Sequence, residues 1–269
     1  LNRIMKPQKD SLNKIAINGF LGKMGQSIFN QSKDSSKYDV RVGCDKTELI
    51  NELKLNPEEW HRKSGGVLLT SDLTESKDLF DVVIDFSLPN SSMELITTCS
   101  QLNKPITIGT TGFTEEQIEK IKLASKTIPI LLAPNMSYGV NVCFNTLSTL
   151  AKKLDGYSIT IAETHHKNKL DSPSGTAIKM AEVICNAKNI ELGDVKSSDC
   201  PIKIESHRIN SEIGTHEVVF KDGSNEITLT HKAYSRSIFA IGALDTSLWI
   251  ANQTPGLYHF NDYMSSSDE

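Results

Sequence analysis

Asp81 to Phe86 reads DVVIDF, a continuous apolar run, Val82 to Ile84, with an acid on either side and Phe86 beyond. Such a run lacks the in–out alternation of a half-solvated strand, so both of its faces must be covered. Only a sheet with helices on both sides does that, and the flanking sequence supplies the pattern. Lys14 to Asn18 (KIAIN), Asp39 to Cys44 (DVRVGC), Gly66 to Thr70 (GVLLT), Lys104 to Gly109 (KPITIG) and Pro129 to Ala133 (PILLA) read as further strands. Helix-compatible segments lie between most of them: from Lys23, from Pro89 to about Leu102, and from the capping-box pattern at Thr114 and Gln117 to about Lys126. Thr47 to Ser64 is polar and reads as a loop with one helical turn. Strands alternating with helices specify an α/β fold with a parallel, doubly wound sheet.

At the end of the first strand Gly19, Gly22 and Gly25 are spaced GxxGxxG, with Phe20, Leu21, Lys23 and Met24 between them. A strand–glycine turn–helix unit is where a Rossmann domain holds a dinucleotide pyrophosphate, although a glycine turn is also often only a turn. Asp45 and Lys46 follow about twenty residues later, where an acid accepts from ribose hydroxyls and a base favours a 2′-phosphate, so NADH and NADPH both suit the pair. Other strand ends carry Phe86 with Ser87, Gly109 with Thr110 and Thr111, and Ala133, Pro134, Asn135 and Met136. Ligands of such sheets bind beyond the carboxyl ends of the strands, so these residues are candidates for the nicotinamide side.

After Met136 the pattern changes. A helix from Ser137 to about Leu154 precedes a strand from Tyr157 to Glu163 and a helix from Ala177 to Ala187. The runs Ile202 to Ile209, His216 to Lys221 and Glu226 to His231 are bunched without helices, and Asp222-Gly223 marks a hairpin. The expectation is an α+β domain with an open mixed sheet. A helix from Ser237 to Asn252 then leads back to the first domain.

Between the first strand and the following helix of this second pattern lies ETHHKNKLDSPSGTA, Glu163 to Ala177. Adjacent strand residues face opposite ways, so His165 and His166 have different tasks, one as acid and the other toward substrate. Lys169 adds a fixed cation. Pro173 pre-sets a first helical turn and leaves the Ser174, Gly175 and Thr176 N–H groups for a carboxylate. The pair could instead sit on a solvated edge. No cysteine or carboxylate set completes a metal site, and none is expected.

The totals restrict partners. A chain of 269 residues with 38% hydrophobic residues builds ample core, and a net charge of −4 gives no reason to expect nucleic acid or anionic membrane. Five scattered cysteines without CxxC spacing read as reduced thiols of a cytoplasmic protein. No apolar run reaches the ~20 residues of a membrane helix. The first twelve residues are polar and read as a flexible leader, with Met5 as an internal start, not as a signal peptide.

The Glu163–Ala177 segment resembles the signature of the dihydrodipicolinate reductases, also called 4-hydroxy-tetrahydrodipicolinate reductases, of the lysine and diaminopimelate pathway. The resemblance extends to the glycine turn, Asp85-Phe86-Ser87, Ile108 to Phe113, Ala133 to Ser137, Gly139 to Asn141, Thr230 to Ala233 and Arg236. It implies that Gly19 to Met24 hold the pyrophosphate, that Asp45 and Lys46 meet the adenosine ribose, and that Gly109 to Thr111 with Ala133 to Met136 line the nicotinamide. It further implies His165 as general acid and base, Lys169 as a second proton donor, and His166, Lys169, Gly175 and Thr176 as the dicarboxylate set. NADH or NADPH would reduce a conjugated imine ring with loss of water, domain closure would join the two halves, and a homotetramer would form through the substrate-domain sheet. On this reading residues 13–136, completed by about 240–263, bind the dinucleotide; 137–239 bind substrate and tetramerise; 1–12 and 264–269 are flexible tails. Two departures are Leu21, where many members have Gly or Ala, and Lys46, where others have Arg. The competing readings are another two-domain nicotinamide oxidoreductase, aspartate dehydrogenase-like, and a non-catalytic nucleotide-binding sensor. The first would not need the His-His-x-x-Lys and Pro-Ser-Gly-Thr pairing. The intact His165 and Lys169 speak against the second.

Overall fold

A computed structural model describes residues 13–209 and 212–266. The expected leader, 1–12, and residues 267–269 lie outside the described residues. Two compact units form, one from residues 13–136 and 239–266, the other from 137–238.

The first unit runs β1 (Lys14–Asn18), α1 (Lys23–Lys33), β2 (Asp39–Cys44), α2 (Thr47–Lys54), α3 (Pro57–Ser64), β3 (Leu68–Thr70), β4 (Val82–Asp85), α4 (Pro89–Leu102), β5 (Ile106–Ile108), α5 (Glu115–Ala124) and β6 (Pro129–Leu132). The second contains α6 (Tyr138–Lys153), β7 (Ser158–His165), α7 (Gly175–Lys188), β8 (Lys203–Arg208), β9 (Gly214–Lys221) and β10 (Glu226–Ala233). The chain ends with α8 (Ser237–Ile250), β11 (Gly256–Tyr258) and α9 (Phe260–Ser265).

Seven strands order as β11-β6-β5-β4-β1-β2-β3, and every pairing is parallel. The order reverses between β1 and β4, which makes their carboxyl ends the switch point. The apolar run of β4 is explained by its two coats. Val82 and Ile84 join Ile15, Ile17, Ile28, Phe29, Ala240 and Leu244 on one face, while Val83 joins Ala16, Ile106, Ile108, Ile96 and Ile121 on the other. Each fully buried Ile or Val contributes about 1.5–3 kcal/mol, so neither face tolerates a polar residue.

Thr47–Ser64 is not a loop but two helices. Asn56 accepts from the Glu59 N–H as N-cap, Pro57 takes N1, and Gly65 ends α3 with φ +53°. Ile50 and Leu53 supply the only buried apolar side chains of α2, too few to give a visible helical period. The tail also differs from expectation, since Met264 and Ser265 belong to α9.

In the second unit the strands order as β10-β9-β7-β8, with β7 antiparallel to β9 and parallel to β8. Helices α6 and α7 cover one face, burying Ile161, Val218 and Phe220 against Phe144, Leu147, Met180 and Ile184. The β9–β10 hairpin turns at Gly223 (φ +90°), where Asp222 Oδ1 accepts from the Ser224 and Asn225 N–H groups.

Candidate active site

In the first unit a groove crosses the carboxyl ends of β1 and β4. Gly19 has φ +72°, and a Cβ there would stand 2.5 Å from the Phe86 carbonyl oxygen; one on Gly25 would stand 2.3 Å from the Gly19 oxygen. Gly22 caps α1 without any side-chain bond. One cavity of about 520 Å³ is lined by Gly19, Leu21, Gly22, Asp45, Lys46 and Phe86 among others. A second of about 320 Å³ is lined by Gly22, Lys23, Met24, Phe86, Gly109, Thr110 and Thr111, and the two share Gly22, Phe86, Ser87 and Leu88. A glycine cradle under an uncapped helix start, with cavities on either side, fits a dinucleotide.

Two carboxylates shape this groove. Asp45 accepts from the Leu21 N–H (2.8 Å) through one oxygen and from the Lys46 N–H (2.9 Å) through the other. The Leu21 N–H is therefore committed to Asp45. Asp85, fully buried at the end of β4, accepts from Asn18 Nδ2 (2.8 Å), Ser87 Oγ (2.7 Å), Thr110 Oγ1 (2.9 Å) and Ser92 Oγ.

Three of the expected cofactor residues, Phe20, Ala133 and Met136, have buried side chains. The Phe20 ring is fully buried 5.1 Å from that of Phe29, and its N–H donates to the Cys44 carbonyl. Ala133 and Met136 are buried, Met136 in the core where α8 passes; a Cβ on Gly242 would stand 1.8 Å from the Met136 oxygen. Neither these two nor Pro134 and Asn135 line either cavity. Conversely, Asn18, Thr47, Glu48, Ser71, Ser91 and Glu94 line the larger one and were not foreseen. They follow from strand order, which places the starts of α2 and α4 beside β1.

In the second unit the strand β7 carries Glu163 and His165 on its buried face and ends there, so His166 begins a turn closed by Lys169 N–H to the His166 carbonyl (3.1 Å). Glu163 is fully buried, and its Oε2 meets His165 Nδ1. Its Oε1 accepts from Arg208 Nη2 (3.0 Å) and the Ser174 N–H (3.2 Å). Burial alone would push the Glu163 carboxyl up, but hydrogen bonds from Arg208, Ser206 and His165 hold it below the usual carboxylate range. For His165 burial dominates and depresses the imidazole, opposed by Glu163 and assisted by the charges of Lys169 and Arg208.

Pro173 precedes the helix instead of entering its first turn. Ser174 is the N-cap, its Oγ accepting from the Ala177 N–H (3.2 Å) and meeting His216 Nε2 (3.0 Å). With its N–H on Glu163, Ser174 is scaffold and not a free donor. Asp171 takes the Gly175 N–H and, with both oxygens, the Lys169 ammonium (2.7 Å each). Arg236 donates to His166 Nε2 (3.3 Å), adding a third cation beside Lys169 and Arg208. Glu163, Asp171 and Arg208 were visible as charged residues, but nothing in one sequence ties Arg208 to Glu163 across β7 and β8. Among the described residues no group of His, Cys, Asp or Glu is placed to hold a metal, no helix is long and apolar enough to cross a membrane, and the five cysteines are unpaired.

A Rossmann-like parallel sheet with a dinucleotide-shaped groove, joined in one chain to a mixed sheet bearing a buried histidine and a cationic turn, defines a nicotinamide-dependent oxidoreductase. Residues 13–136 match the family described as dihydrodipicolinate reductase, N-terminus, and residues 139–264 match its C-terminus. The chain is 34% identical over 262 residues, 93% of its length and 97% of the relative's, to a 4-hydroxy-tetrahydrodipicolinate reductase of Pelagibacter ubique (strain HTCC1062). It also superposes with a TM-score of 0.75 on a dipicolinate-bound dihydrodipicolinate reductase from Paenisporosarcina sp. TG-14, at 25% identity over 93% of this chain and 98% of that one. An amine dehydrogenase from Mycobacterium smegmatis shares the fold alone, with a TM-score of 0.62 at 9% identity over 92% of this chain and 95% of the other. The chain belongs to the dihydrodipicolinate reductase family.

Proposed function

We propose that the chain reduces 4-hydroxy-tetrahydrodipicolinate to tetrahydrodipicolinate, with loss of water, in diaminopimelate and lysine biosynthesis. The observation that carries this is the family match across both units, 13–136 and 139–264. NADH or NADPH supplies the hydride when bound. Gly19, Gly22, Lys23 and Met24 would hold its pyrophosphate, Asp45 and Lys46 its adenosine ribose, and Phe86, Gly109, Thr110 and Thr111 its nicotinamide end.

His165 delivers the proton to the carbon beside the one that is reduced. Lys169, His166, Gly175 and Thr176 bind the dicarboxylate, and Arg236 joins them because it already contacts His166. Lys169 and the Gly175 N–H are held by Asp171, so an incoming carboxylate exchanges one anion for another. That exchange keeps the ammonium paired throughout, avoiding an unpaired charge in a half-buried position.

Oligomerisation as a homotetramer is supported by the sheet face opposite α6 and α7, where, among the described residues, no helix covers Thr160, Ala162, Thr164 and Val219. Sedimentation velocity tests it: a monomer would refute it. A cytoplasmic location accords with a biosynthetic role and is tested by fractionation.

The activity test couples a synthase that makes the precursor to NADH and NADPH oxidation at about neutral pH. No oxidation with either nucleotide would sink the proposal. His165→Gln should lose turnover and keep nucleotide affinity; unaltered turnover would remove His165 as the acid.

A further inference from the structure

We infer that Glu163 is a positioning residue that fixes which nitrogen of His165 exchanges the proton: it binds Nδ1–H and leaves Nε2 to face substrate. The inference rests on the assignment of His165 as the acid made above, and deepens it.

The chemistry of the donors leads to this. Glu163 Oε1 already receives two N–H groups, from the Arg208 guanidinium and from Ser174, so the carboxylate is ionised and oriented by both. An ionised carboxylate can only accept, and a guanidinium can only donate. The imidazole atom against Oε2 is Nδ1, so Nδ1 carries the proton. In neutral His165 the lone pair is then on Nε2; in the imidazolium the second proton is on Nε2. A carboxylate in this place stabilises the imidazolium and holds the ring, as in Asp–His pairs of other enzymes.

The other edge of the ring lies close beside β9. A Cβ on residue 214 would stand 2.9 Å from His165 Nε2, and residue 214 is glycine. The groups facing His165 come from every neighbouring element: Glu163 on β7, Arg208 on β8, His216 on β9 with its ring edge-on at 5.1 Å, Lys169 in the turn after β7, and Glu212 ahead of β9. Burial keeps His216 neutral above about 3, so it adds bulk but no charge near neutral pH. Of the two carboxylates, only Glu163 has a hydrogen bond to the ring.

Glu163→Gln is a sharp test because the two donors on Oε1 leave the amide no choice of orientation. The amide oxygen must stay on Arg208 and Ser174, which turns its NH2 toward His165 Nδ1. The imidazolium then loses its partner, and the neutral ring is driven to the Nε2–H tautomer.

The experiment is ¹⁵N NMR of histidine-labelled full-length protein, with His165 assigned by its loss in His165→Gln, alongside pH profiles of turnover. In the parent, His165 above its titration should show a protonated Nδ1 and a bare Nε2. In Glu163→Gln the two should invert, kcat should fall by at least about a hundredfold, the high-pH limb should move to lower pH, and NADH affinity should not change. Glu163→Asp should keep the parent tautomer and recover part of kcat. Gly214→Ala should also keep the tautomer while losing turnover. A parent spectrum with Nε2–H at His165 overturns the inference without any Glu163 or Gly214 variant having to fold. So does a Glu163→Gln or Gly214→Ala enzyme with parental turnover while His165→Gln is inactive. If His165→Gln itself keeps full turnover, the fault lies in the acid assignment, and the tautomer result stands apart from it.

Discussion

Asp85→Ala puts the geometry of the nucleotide groove to a quantitative test. The carboxylate is fully buried and accepts from four side chains on β1, the β4–α4 connection, α4 and the end of β5. Hydrogen bonds to a charged group contribute about 1.5–3 kcal/mol each, so four come to more than about 6 kcal/mol gross. Removing the carboxylate also recovers its desolvation cost, several kcal/mol, and three of the donors are hydroxyls that can rotate toward other acceptors. The Asn18 amide is buried and cannot turn away as freely. The net loss should be about 2–4 kcal/mol, a fall in Tm of roughly 5–15 °C for a unit of this size. Asp85→Asn keeps one acceptor and should lose about half as much. Circular dichroism melts read the stability. Fluorescence titration with NADH reads the groove, because Ser87 and Thr110 line it and the Ser87 N–H rests on Thr110 Oγ1 (3.0 Å). A Tm within about 2 °C of the parent for Asp85→Ala would refute the reasoning, since desolvation would then outweigh the four donors.

Gly25→Ala drives a Cβ to 2.6 Å from Phe20 Cα as well as onto the Gly19 oxygen, so α1 must shift. Overpacking of about 1–3 kcal/mol and weaker NADH binding are expected, and calorimetric titration would show it. Lys169→Ala removes the ammonium that Asp171 holds; KM should rise and kcat fall, and an unchanged KM would exclude Lys169 from the carboxylate site. Burial, aided by the His165 charge, pushes His216 down to about 3 from 6.5. The unfolded chain therefore takes up a proton there that the folded chain refuses. Stability is unaffected above about 6.5 and falls as pH drops toward about 3, by up to roughly 5 kcal/mol. Urea unfolding of His216→Gln should show a flatter decline in that interval; an identical slope would mean that His216 is not buried as the neutral base.

The sequence alone determined the alternation of strands and helices, the glycine turn and the chemistry concentrated between Glu163 and Ala177. These are local properties: an apolar run, a cap or a turn depends on near neighbours in the chain. Thr47–Ser64 went astray for the same reason, because its two short helices bury little and are set by Asn56, Pro57 and Gly65.

Only the tertiary structure decided which atoms of the chemical residues remain available. Phe20 and Met136 are both expected at the cofactor, and the fold buries their side chains, one ring on Phe29 and the other side chain under α8. Ser174 looks like a donor to substrate until Glu163, eleven residues earlier, is seen to take its N–H. Arg208 and Gly214 carry no recognisable motif, and they matter because β8 and β9 flank β7 and bring them to Glu163 and His165. A hydrogen bond is satisfied by whichever partner is near in space. Residue types can therefore be read along the chain, while the pairing that sets a charge or a tautomer exists only once the sheet has formed.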